Sequence, residues 1–229
     1  MSLAVAYAAL ATGIVVWLIL VRKLSTKSWE AQPALDAEGP RWAPARVGLW
    51  LFLAVVTSLF GLFVSAYYMR MNGHHGAGPA TDWMALSEPP VLWLNTVLLI
   101  AASIAMEASK GAVRRGNTER AGTQLLVGGL LTLAFLGGQF YAWAQVRGSE
   151  FFSPANPAVA FFYVLTAVHG LHLLGGLYVW GRTLARVRKP DVEAIDVRQS
   201  IIQSVELCSV YWHFLLLVWL GLFAVMLST

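Results

Sequence analysis

Six stretches of about twenty residues run along this sequence almost without charge, and polar or basic segments separate them. They fall near Leu3 to Val21, Val47 to Met69, Pro90 to Ser109, Thr123 to Val146, Ala158 to Gly181 and Ser204 to Leu227. A bilayer core about 30 Å thick takes roughly 20 apolar helical residues to cross. The runs are continuous rather than alternating and about twice the length of a barrel strand, so a transmembrane β-barrel is excluded. The pattern predicts an all-α, polytopic membrane bundle of six transmembrane helices.

Composition agrees with that reading. Of 229 residues, 58% are hydrophobic and 12% charged, with a mean hydropathy of +0.63, which no ordinary soluble domain of this size carries. The lone cysteine, Cys208, lies within the sixth run, which excludes an internal disulfide and a thiolate metal cluster. The first run is expected to be a retained helix rather than a cleaved secretory signal. Only Met1 and Ser2 precede it, and Arg22 and Lys23 follow it where a small-residue cleavage site would stand. Pro33, Pro40 and Pro44 then mark an extended linker. The chain is thus expected to divide into residues 1–46, an extra N-terminal transmembrane helix with a cytoplasmic linker, and residues 47–229, a five-helix core.

Charge adds a direction. Lys and Arg number five between the first two runs, four between the third and fourth, and five between the fifth and sixth; the other loops hold Arg70 and Arg147 alone. By the positive-inside bias the three basic loops are cytoplasmic and both termini are outside, on the periplasmic side. The basic balance does not indicate nucleic acid, because the charges are split among three short loops. His74 and His75, set among Gly73, Gly76, Gly78 and Pro79, read as an exposed polar turn. Pairs of small residues four apart, such as Gly61 with Ser65, Ala134 with Gly138 and Thr166 with Gly170, allow close helix approach.

Ionisable groups within membrane spans are costly, so each is a candidate for function. Glu107, His169, His172, Glu206 and His213 are the candidates, with Gln139 and Gln145 as neutral companions. His169 and His172 stand at i and i+3 on one helical face, and Glu206 and His213 share a face two turns apart. His172 and His213 both fall roughly 14 Å from the basic ends at 1.5 Å per residue. A polar cluster of His172, His213 and Glu206 joining the last two helices is therefore expected. Three histidines invite a metal or haem reading. No carboxylate is placed to complete a di-iron set, and the histidines are expected to be satisfied by hydrogen bonds across helices.

The stretch FFYVLTAVHGLHLLGG in the fifth run resembles a signature of subunit III of the haem-copper, cytochrome c type oxidases, at Thr166, His169, Gly170 and His172. ELCSVYWHFLLLVW in the sixth is similar to the family's second signature, at Glu206, Trp212, His213, Phe214 and Trp219. LNTVLLIAAS and the surroundings of Gln139 are lesser echoes, and the resemblance runs from about Val47 to the C-terminus. It implies a non-catalytic subunit in the inner (plasma) membrane of a bacterium, packed on the catalytic subunit I and near subunit II. This chain would carry no cofactor, the haems and copper lying on its partners, and it would bind phospholipid. The subunit would support oxygen reduction coupled to proton translocation. Gln139, Glu107 and Arg182 are candidates for the lipid or cytoplasmic interface.

Three departures stand out. Val56, Ala142 and Leu216 occupy positions where relatives carry acids, which argues against proton conduction through this chain's own helices. Alternatives remain at this point: an accessory subunit of a nitric oxide reductase complex, a proton-coupled transporter using His172, His213 and Glu206, or a haem-bearing membrane anchor. The transporter lacks interrupted helices and visible inverted repeats.

Overall fold

The structure is a computed structural model and describes residues 44–71, 83, 89–148, 156–188 and 195–228. The first apolar run, the linker after it and the loop bearing His74 and His75 lie outside the described residues. The described chain is all-helical, with α1 over Pro44–Met71, α2 over Val91–Arg114, α3 over Thr118–Arg147, α4 over Pro157–Val187 and α5 over Ile195–Leu227. All five are long and apolar enough to cross a membrane. They match the second to sixth runs of the sequence, and no strand occurs among the described residues.

The helices outrun the hydropathy. Helix α5 begins at Ile195 rather than Ser204, and α2 continues to Arg114 rather than ending at Ser109. Hydropathy marks the hydrocarbon thickness, whereas backbone hydrogen bonding carries on into the headgroup region. Local chemistry sets the other ends. The Asn117 side chain accepts from Arg120 N to cap α3, and Asn156 caps α4 ahead of Pro157 in the first turn. Gly116 takes φ 81° between α2 and α3, a left-handed conformation that glycine adopts without a Cβ clash, and so closes the tight α2–α3 turn.

Helices α2, α3, α4 and α5 close a ring, each touching its two neighbours, while α1 lies against α4 and α5. Where the backbones come closest the residue is glycine. A Cβ on Gly129 would overlap the Trp180 indole, one on Gly138 the Asn95 amide, and one on Gly176 would stand 2.7 Å from Tyr211. Of the expected small-residue pairs, Gly138 makes such an approach, whereas Gly61 faces open space and Gly170 only comes within van der Waals range of Leu136.

Trp212 and Trp219, both almost wholly buried, form the centre of the ring. Their indole N–H groups donate to Thr132 Oγ1 at 2.9 Å and Thr96 Oγ1 at 3.0 Å. Each threonine passes its own proton to a carbonyl one turn back, so neither of these two indoles is left unsatisfied in the apolar interior.

Candidate functional site

At the basic end of the ring, Glu206 on α5 is the junction of three helices. Its Oε2 accepts from Arg46 on α1 at 3.2 Å, and its Oε1 accepts from Arg114 on α2 at 2.6 Å and 2.9 Å. The carboxylate is only 17% exposed, so two guanidinium partners offset its desolvation. One turn further along α5, Ser209 donates to Glu107 Oε2 at 2.8 Å, while Lys110 pairs with the other oxygen. Glu107 is thus held across the α2–α5 contact, with its side chain 46% exposed.

The expected cluster of His172, His213 and Glu206 does not form. His172 Nδ1–H donates to Val168 O at 2.7 Å on its own helix, and the ring packs against Phe52 and Phe60 of α1. His213 Nδ1–H donates to Ser209 O at 2.7 Å, also on its own helix, and the ring faces a groove beside α2. Glu206 turns to the arginines instead. The depths were compatible, but the rotation of α5 sends Tyr211 toward α4 and His213 away from it. Tyr211 makes the link assigned to His213, donating to His172 O at 2.9 Å.

His169 has 0% exposure, and its ring is surrounded by Phe60, Phe135 and Trp219. Neither ring nitrogen finds a partner among the described residues. Thr166, one turn away, accepts from Trp143 Nε1 at 2.9 Å and donates to Phe162 O. Gly170 and Phe214 are half-buried. Arg182 is exposed at the basic end and donates to Tyr178 OH at 3.2 Å.

Gln139 is not at an interface. It is 4% exposed and accepts from Asn95 Nδ2 at 3.4 Å, an amide pair between α2 and α3 in the half of the ring away from the basic end. An amide in an apolar interior requires such a partner. Asn95, 0% exposed, was absent from the sequence candidates, as were Thr96 and Thr132, which receive Trp219 and Trp212. A polar residue in the middle of an apolar run was the available signal for all of them.

Val56 and Ala142 are buried, and Leu216 lines the groove beside His213. Among the described residues no group of three or more His, Cys, Asp or Glu is gathered as a metal site.

The ring and its internal polar bonds define a polytopic α-helical membrane protein whose intramembrane polar groups largely join helix to helix. Residues 41–228 match the family Cytochrome c oxidase subunit III. The chain is 32% identical over 179 residues to the cytochrome c oxidase subunit 3 of Synechocystis sp., an alignment covering 77% of this chain and 72% of that one. It is 27% identical to the cytochrome c oxidase subunit 3 of Alkalihalophilus pseudofirmus, over 78% of this chain and 84% of the relative. It is 29% identical to the probable cytochrome c oxidase subunit 3 of Mycobacterium bovis, over 78% and 85%. The chain belongs to the cytochrome c oxidase subunit III family, and its place in the respiratory chain follows from that membership.

Proposed function

We propose that this chain is the non-catalytic subunit III of a cytochrome c type terminal oxidase in a bacterial inner membrane. It packs on the metal-bearing subunit I, with subunit II in the same complex. The observation that carries this reading is the family match over residues 41–228, on a five-helix unit spanning Ala43–Thr229. On this reading the sequence ahead of α1 contributes a further span, and the basic end of the ring faces the cytoplasm with both termini outside, which the charge asymmetry supports. Oxygen reduction and electron transfer belong to the partner. This subunit stabilises the catalytic subunit during turnover and holds phospholipid against it, Arg182 standing at headgroup level on the basic end.

Extraction of the full complex in mild detergent through a tag on this chain tests the reading. The expected result is co-purification of subunits I and II with haem absorbance, which stays with subunit I when the polypeptides are separated. A Soret band or stoichiometric copper on this polypeptide would overturn the non-catalytic assignment. Capture of a nitric oxide reductase in place of the oxidase would move the chain to that complex.

A further inference from the structure

In the half of the ring away from the basic end, three helices bring polar side chains into one buried layer. The bond between Asn95 Nδ2 and Gln139 Oε1 leaves Asn95 Oδ1 and Gln139 Nε2 buried and without a partner among the described residues. His169, at 0% exposure, leaves both ring nitrogens in the same state. We propose that these four atoms line an internal hydration site, in which ordered water bridges the Asn95–Gln139 amide pair to the His169 imidazole. The site belongs to this chain's own interior and does not depend on which complex contains it.

Neighbouring contacts place the amide pair beside the imidazole. Gln139 lies one turn from both Phe135 and Trp143 on the same face of α3. Phe135 packs edge-on against His169 with 5.9 Å between ring centres, and Trp143 donates to Thr166, one turn before His169 on α4. Gln139 therefore faces the turn of α4 that carries His169. From α5, the Trp219 ring lies 5.5 Å from His169 and donates to Thr96, the chain neighbour of Asn95. Asn95 Oδ1 itself occupies the notch at Gly138, next to Gln139.

The chemistry of the unpartnered atoms selects the occupant. Enclosed by Phe60, Phe135 and Trp219, the imidazole is neutral, so one nitrogen donates and the other accepts in either tautomer. With Gln139 Nε2 and Asn95 Oδ1, the layer presents two kinds of donor and two of acceptor. Turning both amides over exchanges the labels and leaves that balance unchanged. A cation would strand the donors, an anion the acceptors, and an acyl chain both. Water serves all of them, and a buried water makes about three such bonds. The ring contacts of His169, at 5.5 to 6.4 Å, are wider than the 4.9 Å between Phe135 and Trp219, which leaves play at the imidazole edge. Asn95 stands four residues from Val91 at the start of α2, about 6 Å along the helix, so the path from surface water is short.

A density map of the intact complex, purified through this chain and sharp enough to show ordered water, tests the site. The expected result is water density within about 2.7–3.2 Å of a His169 nitrogen and of Asn95 Oδ1 or Gln139 Nε2. Direct contact between imidazole and amide, density at the amide pair alone, or density too large for water would overturn the proposal. A second measurement follows magnetisation transfer from water to the labelled Gln139 amide and His169 ring, using the full chain in perdeuterated micelles. Both should receive it in the unaltered chain. His169→Phe, which keeps an aromatic ring without either nitrogen, should remove most of the transfer to Gln139, and His169→Gln should restore it. Transfer to Gln139 that survives His169→Phe undiminished would refute a shared site. Lack of transfer to either residue in the unaltered chain would refute the site itself, whatever the variants do.

Discussion

Replacing Gly129 by alanine places a methyl group inside the Trp180 indole, against Cζ2 and Cε2. The ring has little freedom to retreat, because its Nε1–H donates to Leu125 O on α3 at 2.7 Å. Relief requires α4 to move outward or the hydrogen bond to break. Overpacking of this kind costs about 1–3 kcal/mol. A lost membrane hydrogen bond adds about 0.6 kcal/mol, and the higher helix propensity of alanine returns roughly 0.8–1 kcal/mol. The net expectation is a destabilisation of about 2 kcal/mol. Gly137, two turns further along α3, supplies the control, since a Cβ there meets nothing within 4 Å. Gly137→Ala should be neutral or stabilising by up to about 1 kcal/mol. Unfolding of the purified chain in mixed micelles of increasing dodecyl sulfate, followed by far-UV circular dichroism, separates the two. Were Gly129→Ala to unfold at the same point as Gly137→Ala or later, the close α3–α4 approach would be refuted.

Glu206→Gln removes the charge shared by Arg46 and Arg114 and should loosen α1 by about 1 kcal/mol, since partly exposed ion pairs contribute little individually; unchanged hydrogen exchange near the start of α1 would contradict it. Asn95→Leu and Gln139→Leu should each cost about 1–3 kcal/mol by stranding the other amide. The double variant should cost less than the sum, and strict additivity would mean that the pair contributes nothing. Topology reporters after Leu24, Gly116 and Pro190 should read cytoplasm, and those after Gly78, Ser149 and Thr229 the outside. One reporter on the wrong side would break the six-span arrangement.

The membrane class, the order of the five described helices and the choice of Glu107, Glu206 and the histidines as the costly groups were legible in the sequence. Each depends on local hydropathy and on counting along one helix. Gln139 shows where counting stops: the sequence reading put it at the lipid or cytoplasmic interface, whereas it is buried against Asn95 of another helix. The same holds for Glu206, whose partners Arg46 and Arg114 are supplied by two other helices.

What only the tertiary structure decided is the rotation of each helix about its axis. His172 and His213 were matched in depth, yet one ring packs on Phe52 and Phe60 and the other looks into the groove beside α2. In a soluble bundle the apolar stripe marks the inward face. In a membrane, lipid and bundle interior are equally apolar, so hydrophobicity along the sequence does not distinguish them. Glycine contacts such as Gly129 on Trp180, and hydrogen bonds such as Trp212 to Thr132, set the rotation instead, because both need specific partners from other helices.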